Sequence, residues 1–255
     1  MPFSDNAFRF VAAACVLLAA ACGKRAPEPA KLTVAAASNL TGVMDEIAGA
    51  FTKQSGTKVV LSYGSTAALS QQIGNGAPFD VFAAADTEHL DGLVSKGLVT
   101  AETRAVYARG QLALWIPKGE KLGVRGLEDL VKPELRFIAI AQPSLAPYGQ
   151  AAVEAMTSAG LWEALQPKIV YANNINMAKQ YAATGNADAA FTAYSLVMRE
   201  AGRIVKVDPK LHRTIDQALG VVAGSGHAEV ARQFTEFVLG AQGRAVLTRS
   251  GYLLP

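Results

Sequence analysis

Leu32-Thr33-Val34-Ala35-Ala36-Ala37-Ser38-Asn39-Leu40 is an apolar run of strand length that ends on two small polar residues. Downstream, Leu40, Val43, Met44, Ile47 and Phe51 recur at the three- and four-residue steps of one helical face. The stretch predicts a buried strand that turns directly into an amphipathic helix, with Ser38 and Asn39 at the junction. A helix start presents unpaired backbone N–H groups and the positive end of its dipole. A hydroxyl and a carboxamide placed there either cap the helix or share those donors with a bound anion. The rest of the chain decides whether the junction is one of several.

Outward from this stretch, strands and helices alternate, which argues for an α/β fold with mainly parallel sheets. Gly56 ends the first helix. Lys58 to Tyr63 is a β-branched strand, and Gly64-Ser65-Thr66 opens a second helix carrying Leu69 and Ile73. Asp80 to Ala85 is a third strand, followed by a helix that Asp86 caps. Tyr107 to Ile116 reads as one strand leaving a first lobe. A second α/β unit then runs through strands at Phe137–Ala141, Lys168–Tyr171, Asn186–Tyr194 and Ile204–Val207, with helices opened by Ala146-Pro147-Tyr148-Gly149 and Asn173-Asn174-Ile175. Gln217 to Ala223 returns to the first lobe, and helices at 228–239 and 242–249 close it. The expected division is residues 31–112 and 217–255 for lobe 1 and 113–216 for lobe 2, joined by hinge strands near 108–115 and 215–222.

The N-terminus is read as an export signal. Arg9 flanks the apolar run Phe10 to Leu18, and Ala19-Ala20-Ala21 precedes Cys22. Cleavage after Ala21 suits an ordinary signal peptidase, whereas a cysteine in the next position suits a lipoprotein signal with Cys22 as the lipidation site. Gly23 to Ala30, with two prolines and Lys24-Arg25, has the composition of a tether, which favours the second option. This assigns residues 1–21 to a signal peptide and 22–30 to a tether. The chain would sit in the periplasm or on the outer face of the cell membrane, touching the membrane through the anchor alone. The two cysteines are Cys15 and Cys22, so the folded part has neither a disulfide nor a thiol nucleophile.

Of 255 residues, 51% are hydrophobic and 18% charged, with a formal net charge of +3. That is ample for a packed core. With so modest a charge and no basic run interleaved with aromatics, nucleic acid is not an expected partner. His89, His212 and His227 lack metal-ligand spacing. No phosphate-loop motif, nucleophile triad or paired carboxylates appear, so no enzyme activity and no cofactor is expected. Asp80 and Asp86 read as a turn anchor and a cap.

Four strand-to-helix turns carry small or neutral polar residues: Ser38/Asn39, Ser65/Thr66, Pro147-Tyr148-Gly149 and Asn173-Asn174-Ile175. In open α/β sheets the C-terminal ends of the strands face one crevice. Four helix starts, each with roughly half a positive charge, would offset a dianion without Lys or Arg. Neutral donors without a carboxylate point to a fully deprotonated anion. Tyr194, at a strand end, lies either in the core or with its hydroxyl in the cleft.

Val34 to Leu40, Tyr63-Gly64-Ser65-Thr66-Ala67-Ala68-Leu69, Gln72-Ile73, Gly76 to Phe82, Ala146 to Gly149, Asn174-Ile175, Gly185 to Phe191 and Ser250 to Pro255 together resemble the periplasmic molybdate-binding proteins of ABC transporters. The resemblance implies a two-lobed type II periplasmic binding protein fold that closes on molybdate or tungstate, works as a monomer and passes its cargo to an ABC permease. It implies donation by Ser38, Asn39 and Ser65, and backbone N–H donation by Tyr148 and Ile175. Molybdenum would thus be held only as the oxyanion, through Ser38, Ser65, Tyr148 and Ile175. Thr66 stands where the family often has serine, Asn174 flanks Ile175, and Tyr194 stands where some members use a tyrosine hydroxyl. The alternatives are a binding protein for another tetrahedral oxyanion such as sulfate, and an enzyme built on the same two-lobed fold.

Overall fold

A computed structural model describes residues 31–119 and 123–255. The expected signal peptide, the tether and Cys22 lie outside the described residues. Among the described residues the strands are, in chain order, β1 (Lys31–Ala37), β2 (Lys58–Gly64), β3 (Val81–Ala83), β4 (Ala105–Gly110), β5 (Leu112–Pro117), β6 (Ile138–Ala141), β7 (Ile169–Ala172), β8 (Ala189–Ala193), β9 (Gly202–Lys206) and β10 (Ile215–Val221). The helices are α1 (Val43–Ser55), α2 (Thr66–Gly74), α3 (Glu88–Ser95), α4 (Pro147–Ser158), α5 (Trp162–Leu165), α6 (Ile175–Ala183), α7 (Tyr194–Val197), α8 (Ala228–Leu239) and α9 (Ala241–Arg249). None of them is long and apolar enough to cross a membrane.

The strands form two five-stranded sheets, ordered β2-β1-β3-β10-β4 and β7-β6-β8-β5-β9. In each, a parallel trio is followed by one reversed strand and one restored strand, so four of five strands share a direction. The reversed strands, β5 and β10, are the ones the chain enters immediately after passing from one sheet to the other. The central strands β1 and β6 are apolar because both faces are covered, as parallel strands require.

Tyr107 to Ile116 is not one strand. It is β4 in the first sheet and β5 in the second, with Gln111 as the single residue between them. Tyr194 N–H donates to the Gln111 carbonyl at 2.9 Å, and Leu253 pairs both ways with Arg109. The chain's change of sheet is therefore bonded on both sides. The second passage runs through residues 207–214, ahead of the 215–222 expected, and includes a short 3-10 turn at Pro209–Leu211. β10 itself is a full member of the first sheet.

The opening junction also differs from its reading. Ser38–Leu40 form a single 3-10 turn and α1 starts only at Val43. Gly42 lies between them at φ 81, a conformation that favours glycine. Asp45 Oδ2 accepts from Gly42 N–H at 2.8 Å, and Thr41 Oγ1 donates to the Ser38 carbonyl at 2.8 Å. Capping of α1 is thus done by Asp45, and Ser38 and Asn39 are released from it. The apolar face is as expected: Val43, Met44, Ile47 and Phe51 are buried, and Phe51 meets Phe234 of α8 edge-on at 5.2 Å.

Candidate functional site

The C-terminal ends of β1, β2 and β3 and the starts of α4 and α6 converge on a small cavity of about 10 Å³. Its walls are Ala37, Ser38 and Asn39 after β1, Gly64, Ser65 and Thr66 after β2, Ala85 after β3, Ala146, Pro147 and Tyr148 at α4, and Ile175 at α6. This is below the roughly 300–1,000 Å³ typical of pockets for drug-sized molecules. The cavity is closed by bonds between the two sheets' own elements. Ala67 N–H donates to the Leu145 carbonyl at 3.2 Å, Ser195 Oγ donates to the Asn39 carbonyl at 3.2 Å, and Gln217 Nε2 donates to Tyr148 Oη at 3.0 Å.

Six of the eight residues singled out in the sequence line this cavity: Ser38, Asn39, Ser65, Thr66, Tyr148 and Ile175. Ser38 and Ser65 are 5% and 6% exposed, and neither hydroxyl has a hydrogen-bond partner among the described residues. Ser65 is the N-cap residue of α2 by backbone geometry, yet its side chain makes no cap bond. Both residues line the cavity, so a ligand there can supply the missing partner.

At α4, position N1 is Pro147, which has no N–H, and Gly149 N–H donates to the Ala146 carbonyl at 2.9 Å. That leaves Tyr148 N–H as the free donor of the first turn. Gly149 is required here, because a Cβ would sit 2.1 Å from the Ala141 carbonyl oxygen. At α6, Asn174 Oδ1 accepts from Met177 N–H at 2.9 Å and Ala178 N–H returns to the Asn174 carbonyl. Asn174 is thus a cap and lies outside the cavity wall, and its capping leaves the Ile175 N–H at the wall free. Thr66 Oγ1 accepts from Ala85 N–H at 3.1 Å, so this hydroxyl braces the end of β3.

Tyr194 is not brought to the cavity. Its backbone opens α7 instead of ending β8, and its ring packs beneath the Lys206 ammonium at 3.9 Å and against the space a Cβ on Gly251 would need. The Gln111 carbonyl captures its N–H and turns the chain at that point.

No Lys, Arg, Asp or Glu lines the cavity. Its positive potential comes from the starts of α2, α4 and α6 and from oriented amides. Among the described residues no group of three or more His, Cys, Asp or Glu side chains could hold a metal ion. Asp80 and Asp86 are structural: Asp80 Oδ2 accepts from Thr33 N–H at 2.7 Å, and Asp86 Oδ1 accepts from His89 N–H at 3.0 Å.

Sequence reading missed the polar layer beneath the cavity. Gln217 of β10, fully buried, touches Asn39, Tyr107 and Tyr148, while Tyr252 touches Asn39 and Ser195. Burial pushes the phenols of Tyr107 and Tyr148 well above their ordinary values and that of Tyr252 up to about 12. All three are neutral hydroxyls at physiological pH. A glutamine inside the apolar run of 215–221 was the available signal.

A family described as bacterial extracellular solute-binding protein matches residues 32–253 of the chain. The molybdate-binding protein ModA of Azotobacter vinelandii is 36% identical over 231 residues, covering 89% of this chain and 91% of that protein. The molybdate-binding protein ModA of Rhodobacter capsulatus is 33% identical over 238 residues, covering 92% and 94%. Among solved structures, the periplasmic molybdate-binding protein of Azotobacter vinelandii superposes with a TM-score of 0.84 at 33% identity, over 88% of this chain and 99% of that one.

Proposed function

The chain belongs to the bacterial extracellular solute-binding protein family, and from that premise we propose that it captures molybdate or tungstate in the cavity between its two sheets and delivers it to an ABC permease. The observation that carries this reading is the pair of serine hydroxyls, Ser38 and Ser65, that line a cavity with no charged side chain and have no protein partner among the described residues. With the free N–H groups of Tyr148 and Ile175 they form a tetrad of neutral donors, two from each sheet's elements. A tetrahedral dianion satisfies all four at once, and each bond is strengthened by the ligand's charge. With no carboxylate in the wall to accept a proton, a fully deprotonated oxyanion is favoured.

Residues 31–110 with 215–255 act as one jaw and 112–206 as the other. The anion bridges them, so binding favours closure. Export by the leader and lipidation of Cys22 would keep the protein outside the cytoplasm, beside its permease. Molybdate is preferred to sulfate in this reading because both ModA relatives are named for it.

Calorimetric titration with molybdate, tungstate, sulfate and phosphate tests the assignment. Molybdate and tungstate are expected to bind at one site per chain, with sulfate and phosphate far weaker. Tight sulfate binding without molybdate binding would overturn the specificity, and binding of none of the four would overturn the anion site.

A further inference from the structure

The 3-10 turn at Ser38–Leu40 has no side-chain cap, and its middle residue is held across 213 positions of sequence. Tyr252 Oη donates to the Asn39 backbone carbonyl at 2.8 Å and accepts from the Asn39 side-chain Nδ2 at 2.9 Å. Ser195 Oγ, on α7, lies 3.1 Å from this hydroxyl and 3.2 Å from the Asn39 carbonyl, and shares its one proton between them. A phenol has one proton to give and two lone pairs to receive with. The Tyr252 hydroxyl gives its proton to Asn39 and receives from Asn39 and Ser195, which uses the donor and both lone pairs. Asn39 and Tyr252 are 1% and 2% exposed, so water does not compete for these bonds.

The main chain on either side of Tyr252 is fastened to the first passage between the sheets. Leu253 N–H donates to the Arg109 carbonyl at 3.0 Å, and Arg109 N–H donates to the Leu253 carbonyl at 2.7 Å. Gln111 Nε2 donates to the Gly251 carbonyl at 2.6 Å. Gly251 lies at φ 86, and a Cβ there would come within 2.7 Å of the Tyr194 ring, so the tail passes α7 at a distance only glycine allows. One end of the Tyr252 side chain is thus anchored where the chain changes sheet, and the other at the wall of the cavity. From Cγ to Oη the side chain is rigid, so a displacement at one end is carried to the other.

We propose that Tyr252 is a positioning residue for anion capture: its hydroxyl sets the Ser38–Asn39 turn against the passage at Gln111, so that Ser38 is aligned from the point where the two sheets join. The proposal rests on the anion-binding reading of the cavity and adds to it a residue outside the cavity wall. Burial pushes the Tyr252 phenol up to about 12, so it keeps its proton, and with it the bond to the Asn39 carbonyl, across the physiological range. Ser65 is set differently. It precedes α2, whose Leu69 N–H returns to the Ser65 carbonyl at 3.0 Å, and Tyr252 does not reach it. The two serines therefore respond differently to loss of the hydroxyl.

Double-mutant cycles on molybdate affinity, with Tyr252→Phe as the common member, test this. Tyr252→Phe keeps the ring in the core and removes the hydroxyl. It should bind molybdate about tenfold more weakly, the scale of a lost buried hydrogen bond. In Ser38→Ala/Tyr252→Phe the two losses should overlap, leaving affinity within about twofold of the weaker single variant. In Ser65→Ala/Tyr252→Phe they should multiply. A role in packing alone would multiply in both. Ser195→Ala takes one bond from the same hydroxyl and should repeat the pattern at smaller size, so the test stands even if Tyr252→Phe does not fold. Unchanged affinity in a folded Tyr252→Phe variant overturns the proposal, and so does a loss, in either variant, that multiplies with Ser38→Ala. The single measurements tell this failure from that of the underlying reading: if the unsubstituted protein binds no molybdate, or Ser38→Ala costs nothing, the anion site itself is overturned and the proposal falls with it.

Discussion

Replacing Gly110 with alanine should loosen the grip on the anion while leaving the empty protein nearly as stable as before. Gly110 is the last residue of β4, and its φ is not in the left-handed region, so alanine fits the backbone. The space is the difficulty. A Cβ there would lie 2.1 Å from Tyr148 Oη, 2.8 Å from Tyr148 Cζ and 2.7 Å from Gln217 Nε2. Ordinary contact begins near 3.4 Å, so the phenol must retreat by about 1.3 Å, from 2.1 to 3.4 Å. Tyr148 is 1% exposed, which gives its ring no slack. Overpacking of this kind costs about 1–3 kcal/mol. The cost of the Tyr148 contact falls on the state in which α4 is docked against the first sheet, because separating the two relieves it; the contact with Gln217, inside the first sheet, remains and is met by the end of a flexible side chain. On the proposed reading molybdate favours that docked state, so Kd should rise by about 5- to 140-fold at 1.4 kcal/mol per decade. Calorimetric titration gives the affinity, and melting with and without molybdate gives the partition. A variant with wild-type Kd would refute the reasoning. So would one whose molybdate-free Tm falls as far as its molybdate-bound Tm, since the clash would then be one of folding and not of closure.

Ser38→Ala and Ser65→Ala should each weaken molybdate binding by about 1–3 kcal/mol, the scale for a hydrogen bond to a charged group. Because neither hydroxyl has a protein partner, the ligand-free Tm should barely move; the two measurements together separate a ligand contact from a cap. His89→Gln addresses pH dependence. The Asp86 carboxylate, 2.7 Å from His89 Nδ1, raises the His89 pKa above its ordinary value against the opposing effect of burial. A raised folded-state pKa stabilises fully below the unfolded value of about 6.5 and loses that contribution as pH climbs through the folded value. The Tm gap between wild type and variant should therefore be widest below about pH 6.5 and shrink above it. A gap that widened toward alkaline pH would contradict this.

The fold was legible where apolar runs were short and bounded. β1, β2, β6 and β7 were readable because both faces or one face of a strand leave a plain apolar signature, and α1 because its face repeats at helical steps. The break at Gln111 was not, since strand-like sequence runs on both sides of it and only the tertiary partners, Ile215 on one side and Ala193 on the other, place the halves in different sheets. The wall of the cavity was legible because small polar residues follow strands at each junction. What lay beneath it was not, because Gln217 meets Asn39 across 178 positions and Tyr107 across 110. Sequence spacing carries no trace of such encounters. The local structure at Tyr194 was hidden for a related reason: the residue opens a helical turn, its N–H bonded to the distant Gln111 carbonyl, where the local pattern reads as strand.

The two passages of the chain between sheets also set an order of assembly. Every strand of the second sheet comes from residues 112–206, so that sheet can be completed from one uninterrupted segment. The first sheet cannot, because β10 stands between β3 and β4, and its pairing of Val221 with Val81 joins residues 140 positions apart. Long loop closure is entropically unfavourable and slow. A chain emerging from its N-terminus therefore has β1, β2 and β3 in hand early but must leave β3 with an open edge until residues 215–221 arrive. The half made last thus carries the exposed, aggregation-prone edge for longest, and a holding chaperone would find its binding site there.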